Sequence, residues 1–156
     1  MKKSSIPANG SVFLVPLLAG DFGIGVLVRA DGKGRAYGVF FKQRVSGANE
    51  VDVSGIRYQD AILRCRFGDH GLHTRRWIVI GSIPNWDTGQ WRIPKFSRPH
   101  DNSGMRYVTE YDDSLNLMSE VVAPATETMD MPEDAQFGSG VVEVKLSKLL
   151  ADQKEQ

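Results

Sequence analysis

Three glycines within six residues, Gly20, Gly23 and Gly25 in the stretch GDFGIG, are the first feature that suggests chemistry, because glycine-rich loops bind phosphate. A dinucleotide-binding loop has the order G-x-G-x-x-G and is followed by a helix whose amino terminus binds the phosphate. Here the order is reversed, and the next residues, VLVRA, are typical of a strand. The stretch therefore predicts a β-hairpin whose glycines adopt positive φ or let strands approach closely, and no cofactor.

The histidines His70, His73 and His100, with Asp69 beside the first, are the candidate metal ligands. The spacing of His70 and His73 would place both on one side of a helix, but the glycines of FGDHGLH predict a turn. The chain has one cysteine, so no cysteine pair can complete a zinc site. We expect no metal site.

The nucleophilic residues form no recognisable catalytic arrangement. Cys65 lies between two arginines, which lower a thiol pKa, but the alternation in AILRCRF predicts that the cysteine faces the core of a strand. Ser139 does not lie in the G-x-S-x-G pattern of a strained elbow, and Asp112 and Asp113 are typical of a solvated turn. We expect no catalytic residues and a protein that is not an enzyme; residues converging from separate strands are the alternative.

Arginines and tryptophans are concentrated between residues 57 and 106, where they could form a stacking surface for nucleic acid. They are Arg57, Arg64, Arg66, Arg75, Arg76, Arg92, Arg98 and Arg106, with Trp77, Trp86 and Trp91. A nucleic-acid-binding β-barrel module is therefore one hypothesis. Against it, the formal net charge is zero and the isoelectric point about 6.8, whereas a dedicated nucleic-acid-binding protein usually has a basic excess.

The spacing of apolar residues predicts a mainly β fold. SVFLVPLL, IGVLVRA and RAYGVFFKQR predict a three-stranded meander, with the first strand bent or at an edge because of Pro16. AILRCRF predicts a half-buried strand with Leu63, Cys65 and Phe67 on one face, and RRWIVIG a more fully apolar strand. We expect a strongly bent antiparallel sheet or a small SH3-like barrel with long loops and at most short helices.

The second half of the chain is less regular. Residues 82–104 predict a long ordered loop or short edge strands, and MRYVTEYD and NLMSEVVA predict a strand pair. The acidic, proline-bearing segment PATETMDMPEDAQFGSG predicts an exposed loop, and the alternation of VVEVKL predicts a closing strand. The spacing of Leu146, Leu149 and Leu150 suits one or two terminal helical turns.

The length of 156 residues predicts one domain, residues 1–156, with about 1–10 and 152–156 frayed. No apolar run approaches the roughly 20 residues of a membrane span, so we expect no membrane association. Pro16 interrupts the amino-terminal apolar run, which argues against a secretory signal. A lone cysteine fits a reducing cytoplasm.

The zero net charge hides an asymmetry. Residues 1–108 carry 16 Lys and Arg against 8 Asp and Glu, whereas residues 109–156 carry 3 against 11. Such a split indicates either two surfaces for different partners or two halves that pair with each other in the folded domain.

Two stretches, GSVFLVPLLAGDFGIGVLV and RFGDHGLHTRRWIVIGSIP, resemble the immunity protein 26 family of bacterial polymorphic toxin systems. The first has the glycine-bounded hairpin of that family, and FGSGVVEVKL is similar to its closing strand. The central pattern consists of Phe67, Gly68, Asp69, Gly71, Leu72, Trp77, Ile80 and Gly81. We expect these residues and the hairpin glycines to be structural. Thr74-Arg75-Arg76 depart from the pattern, where a glycine is expected before the tryptophan.

The resemblance implies a cytoplasmic protein that binds and neutralises a protein toxin, and it supplies no catalytic residues. Such a role needs a rigid scaffold and a complementary surface. Many toxins of these systems attack nucleic acid through basic clefts, and an acidic patch would suit such a partner. The candidate partner-binding residues, in segments that we expect to be exposed, are Glu110, Asp112, Asp113, Glu133 and Asp134. A solubilising surface, or pairing with the basic half, is the alternative role for them.

Overall fold

The computed structural model describes residues 6–154, which form a mainly β structure of nine strands in two sheets with two helices. The strands are β1 (Ser11–Pro16), β2 (Phe22–Ala30), β3 (Arg35–Val45), β4 (Leu63–Gly68), β5 (Ile78–Ser82), β6 (Phe96–Pro99), β7 (Met105–Tyr111), β8 (Leu117–Pro124) and β9 (Gln136–Phe137). The helices are α1 (His70–His73) and α2 (Ser139–Lys154). Of the ends expected to be frayed, residues 1–5 and 155–156 lie outside the described residues.

The first sheet contains six strands in the order β5, β1, β2, β3, β4, β9. The predicted meander of β1, β2 and β3 is confirmed, and so is the hairpin interpretation of the glycines. Gly20 lies in the turn with φ of +99°, a conformation that glycine adopts without strain. Gly23 and Gly25 lie inside β2, where Gly25 pairs with Phe13 of β1. Gly20 therefore forms the turn, whereas Gly23 and Gly25 allow neighbouring groups to approach the strand closely.

The first sheet buries both of its faces, because alternate residues of each strand point to opposite sides. On one face, Phe13, Phe40 and Phe67 pack with Trp77 and with helix α2. On the other face, residues such as Val26 and Val39 pack with Trp91 of the following loop and with Phe96 of β6. The predicted half-buried strand is confirmed in β4, where Cys65 and Phe67 are buried and the arginines between and beside them face the other side.

Two glycines of β2 make room for the first of these cores. A Cβ atom on Gly23 would lie 2.6 Å from Cδ2 of Leu146 in α2, and one on Gly25 would lie 2.5 Å from Cε1 of Phe13 and 2.9 Å from Cδ2 of Phe40. Such distances are well inside van der Waals contact. The missing side chains thus let α2 and the aromatic rings approach the sheet.

The expectation of at most short helices is wrong, since α2 has 16 residues and includes the segment VVEVKL that predicted a closing strand. Val142, Leu146 and Leu150 are fully or almost fully buried, whereas Val144 is 51% exposed. Val142 and Leu146 fit both a period of two and the i, i+4 period of a helix. Packing against the aromatic core decides for the helix and overrides the β preference of the valines.

The second sheet is antiparallel and has the order β6, β7, β8, so the predicted pair of β7 and β8 is confirmed. The sheets are not closed, and the alternative of a small SH3-like barrel is therefore wrong. β9 pairs in parallel with β4 and is the exception to the antiparallel pairing. The predicted turn FGDHGLH contains the single helical turn α1, and the apolar strand β5 lies at an edge with Ile78 52% exposed.

Candidate functional site

Strand β8 is the strand with the most exposed apolar surface among the described residues, and each of its residues except Ala123 is exposed. The exposed fractions of Leu117, Met118, Val121 and Val122 are 53, 59, 55 and 46%. Because neighbouring residues of a strand point to opposite sides, Val121 and Val122 leave apolar surface on both faces. Contiguous exposed apolar surface of this kind is typical of a protein interaction site.

The outer backbone edge of β8 is also open. Ala125 N donates a hydrogen bond to Gly104 O at 2.8 Å, and in an antiparallel ladder hydrogen-bonded and non-hydrogen-bonded pairs alternate from such a pair onward. The residues of β8 that pair with Tyr107 and Thr109, namely Val122 and Glu120, therefore point their N–H and C=O groups away from β7. Within residues 6–154, no strand pairs with this edge.

The hairpin that carries β8 is fixed at its tip. Asp112 Oδ1 accepts hydrogen bonds from the backbone N–H groups of Ser114 and Asn116, both at 2.9 Å. Leu115 adopts φ of +63° and is 1% exposed, with its side chain in the second core of the large sheet. Burial of the Leu115 side chain thus anchors the turn of the hairpin and offsets the cost of its positive φ.

Asp134 holds the small sheet against the large one. Its carboxylate accepts hydrogen bonds from Arg66 of β4 at 2.8 Å, Arg98 of β6 at 2.9 Å and the Tyr111 hydroxyl of β7 at 2.6 Å. Burial raises the pKa of Asp134, but the hydrogen bonds from Tyr111 and Arg66 outweigh it and leave the pKa below its ordinary value. Asp134 is buried, so the expectation that it is exposed is wrong.

The other four predicted partner-binding carboxylates surround the β7–β8 hairpin. Asp113 pairs with Arg29 at 3.1 Å and Glu133 pairs with Arg106 at 3.1 Å. Glu110 lies opposite Ser119 of β8, and Asp112 lies in the turn. Neither Glu110 nor Asp112 has an ion pair in the described part of the chain.

Pairing between the basic and acidic parts of the chain is extensive. Arg29, Arg66, Arg76, Arg98 and Arg106 all bind carboxylates that lie beyond residue 108. The hypothesis of two halves that compensate each other is confirmed to this extent. Four carboxylates between residues 109 and 134 remain without an ion pair among the described residues: Glu110, Asp112, Glu127 and Asp130.

The last two of these carboxylates were not among the predicted residues. Glu127 follows the carboxyl end of β8 and Asp112 precedes its amino end, whereas Asp130 lines a cavity with Arg64 of β4 and Lys145 of α2. Their signal in the sequence was the acidic composition of PATETMDMPEDAQFGSG. The sequence does not separate paired from unpaired carboxylates there, because their arginine partners are distant along the chain.

The arginines and tryptophans do not form the predicted stacking surface. Trp77 and Trp91 are 1% and 4% exposed, and both lie in the cores of the large sheet. The guanidinium of Arg66 lies 4.4 Å from the ring centroid of Tyr111 and also binds Asp134. Trp77, Trp91 and Arg66 are thus used in the fold, and the half-buried Trp86 packs against Trp91.

The residues that carry the family pattern are mostly core residues. Phe67, Gly71, Leu72 and Trp77 are buried, Gly68 and Gly81 lie in β4 and β5, and Asp69 O accepts a hydrogen bond from His73 N in α1. Arg75, in the segment that departs from the pattern, adopts φ of +66°, a conformation in which glycine is unstrained. A glycine in place of Arg75 would therefore adopt this backbone conformation without strain.

Glu143 of α2 is a structural residue that sequence reasoning missed. Its carboxylate accepts two hydrogen bonds from Arg76, at 2.7 and 2.8 Å, and one from Trp77 Nε1 at 2.9 Å. The hydrogen bonds from Arg76 are the main cause that lowers the pKa of Glu143. The bidentate pair fixes α2 to the amino end of β5.

Cys65 and the histidines are not assembled into a site. Cys65 is 1% exposed, and burial raises the pKa of its thiol to about 12, so it behaves as a small apolar residue. His70 and His73 are exposed, whereas the His100 ring stacks on Tyr107 of β7. No group of three or more metal-ligating side chains lies together in the part of the chain that the structure describes.

Exposed apolar side chains on both faces and an outer edge that is unpaired within residues 6–154 are features of β8 that are typical of protein interaction surfaces. The family model of Immunity protein 26 matches residues 8–104, which is more than half of the chain. The protein belongs to the Immunity protein 26 family, as the resemblance indicated. Neither the search of curated proteins nor the search of solved structures found a match. Of the helices within residues 6–154, none has the length and apolar character of a membrane span.

Proposed function

We propose that this protein neutralises a cognate bacterial toxin by stoichiometric protein–protein binding. The observation that carries the proposal is the exposed apolar strand β8 in a member of an immunity protein family. Immunity requires a surface that a toxin can bind. Removal of an exposed apolar strand from water by a partner lowers the free energy of the complex. The binding surface comprises β8 and the unpaired carboxylates around the hairpin.

The charge of the hairpin supports a partner with a basic surface. Glu110, Asp112 and Glu127 carry negative charge that forms no ion pair among the described residues. Such a field increases the rate at which a basic protein associates, and the increase is largest at low ionic strength. A nuclease with a basic active-site cleft fits this description, and we propose that the hairpin blocks that cleft.

We place the neutralisation in the cytoplasm. Cys65 is buried and unpaired, so the fold does not depend on a disulfide and is compatible with a reducing compartment. A toxin that attacks nucleic acid has to be neutralised in the compartment that contains the nucleic acid, which is the cytoplasm of a bacterium.

The test is co-expression with the toxin encoded by the neighbouring gene. The wild-type protein is expected to restore growth, and the purified pair to form a complex of defined stoichiometry. If the toxin kills cells equally well with and without this protein, the immunity proposal is wrong for that pair. Tight binding of RNA or DNA at physiological salt, with no toxin complex, would support the nucleic-acid-binding hypothesis instead.

The role of the charge is tested separately with the double variant Glu110→Gln/Glu127→Gln. The association rate with the toxin is expected to fall several-fold at low salt and much less at high salt, because salt screens the lost attraction. The matched control is Glu50→Gln/Asp152→Asn, which removes two exposed carboxylates from the 3₁₀ segment Ala48–Glu50 and from α2. Equal slowing by both variants would assign the effect to net charge alone.

A further inference from the structure

We propose that β8 binds its partner by strand addition: an extended, basic segment of the toxin pairs with the open edge of β8 and continues the small sheet. This inference rests on the proposed function and specifies how the same surface works. Two independent features support it, the free backbone groups of β8 and the distribution of its side chains.

The backbone of β8 is prepared for a further strand. Glu120 and Val122 direct their N–H and C=O groups outward, as the register with β7 and the hydrogen bond from Ala125 N to Gly104 O require. Pro124, which has no N–H group, lies at the end of β8 beyond this pair of outward residues. A strand placed beside β8 would satisfy the backbone groups of Glu120 and Val122 directly.

The opposite edge of the same sheet, strand β6, is covered by another segment of the chain. Ser97 N of β6 donates to Pro132 O at 3.0 Å, and Asp134 N donates to Ser97 O at 2.7 Å. The chain itself therefore covers the edge of β6. Nothing within residues 6–154 does the same for β8.

The side chains of β8 define the chemistry of the partner strand. Val121 and Val122 are exposed on opposite faces, so a pairing strand would contact apolar surface on both sides at its centre. Asp112 lies near one end of β8, and Glu127 lies beyond the other end. The complementary segment has apolar residues at its centre and lysine or arginine toward both ends.

A second copy of this chain is disfavoured as the occupant by the same charges. Pairing of two β8 strands would bring together two hairpins, each with carboxylates at Glu110, Asp112 and Glu127 that have no ion pair among the described residues. Like charges at short distance oppose association. The same negative charge attracts a basic partner.

The test compares Val122→Pro with Val122→Ala, using the toxin domain encoded by the neighbouring gene as the probe. Both variants lose the valine side chain, but proline alone also removes the outward N–H group. Position 122 is a non-hydrogen-bonded position of the ladder with β7, so proline there leaves the bonds to β7 intact. We expect Val122→Pro to weaken toxin binding more than about tenfold relative to Val122→Ala.

Amide exchange measured residue by residue gives a readout that does not depend on a variant. In the free protein, the amides of Glu120 and Val122 should exchange faster than those of Val121 and Ala123, whose N–H groups face β7. Toxin binding should protect the amides of Glu120 and Val122.

Each outcome has a separate meaning. Absence of any complex with the wild-type protein would contradict the proposed function itself. A complex that Val122→Pro and Val122→Ala form equally well, with both variants folded by circular dichroism, would contradict strand addition and leave the function standing. Protection of Glu120 and Val122 that depends on concentration in the free protein, with a dimer in light scattering, would identify a second copy as the occupant and overturn the proposal.

Discussion

The two edges of the small sheet, β6 and β8, differ more than any other pair of strands in this protein. At β6, Phe96 is fully buried against the large sheet and residues 132–134 cover the outer backbone. At β8, apolar side chains are exposed on both faces and the outer backbone is free within the described residues. One edge is therefore part of the core, and the other is a surface.

If β8 binds a partner as proposed, one short sheet serves both stability and recognition. An exposed apolar edge strand exposes a protein to aggregation, which charged residues and proline on the strand counteract. β8 carries Glu120, which pairs with Arg98, and ends at Pro124. The covered edge keeps the hairpin in place, so that the open edge can remain available for a partner.

Truncation of Phe96 at the covered edge should have the largest effect on stability. Phe96→Ala removes a fully buried ring that packs edge-to-face on Tyr37 and Tyr111. We expect a loss of about 3 to 5 kcal/mol in the free energy of unfolding, measured by urea denaturation. A loss below about 1 kcal/mol would mean that the small sheet does not unfold together with the large one.

Asp134 provides the second test, because it should make the covered edge sensitive to pH. Its pKa is lower in the folded protein than its ordinary value of 3.8, since the hydrogen bonds from Tyr111 and Arg66 outweigh the effect of burial. The ionised carboxylate therefore stabilises the fold above that value, and the stabilisation is lost as the pH falls through the folded pKa. Asp134→Asn should cost about 2 kcal/mol near neutral pH.

The control for this prediction is Asp113→Asn at the tip of the hairpin, whose carboxylate side chain is 81% exposed. It should change the free energy of unfolding by less than about 1 kcal/mol. Denaturation of wild type and Asp134→Asn from pH 7 to pH 2 should show the difference between them shrinking below about pH 4. A difference that stays constant with pH would contradict the role assigned to the ionised carboxylate.

Much of this architecture was predictable from local pattern. The β-branched and aromatic residues of β1 to β3, the alternation in β4 and the glycine turn at Gly20 are signals that lie within a few residues of one another in the sequence. The family resemblance pointed to Trp77 and the glycines as structural residues, and both lie in or beside the core.

Features that depend on distant partners were not predictable in this way. Asp134 lies in an acidic segment typical of a loop, but Arg66 is 68 residues away along the chain, and this pairing buries the carboxylate. The segment VVEVKL satisfies strand and helix periods at Val142 and Leu146, and only packing against the first core separates the two. The openness of β8 likewise depends on which segments cover the edges of the sheet.

The last prediction compares the same substitution at two valines that lie opposite each other, one buried and one exposed. At the exposed valine we expect the smallest effect on stability. Val108 of β7 and Val121 of β8 are a cross-strand pair, but Val108 is 6% exposed and Val121 is 55% exposed. Replacement by threonine keeps the β-branched shape and adds a hydroxyl group. At Val108 the hydroxyl would be buried, and we expect a loss of about 1 to 3 kcal/mol.

At Val121 the same replacement should change the free energy of unfolding by less than about 0.5 kcal/mol, because the hydroxyl remains in water. Val121→Thr should nevertheless weaken toxin binding, since the bound state would remove that hydroxyl from water beside an apolar strand. Paired measurements of urea denaturation and of toxin affinity on the two variants check this. Loss of stability at Val121, or unchanged affinity, would mean that the surface of β8 is not reserved for a partner.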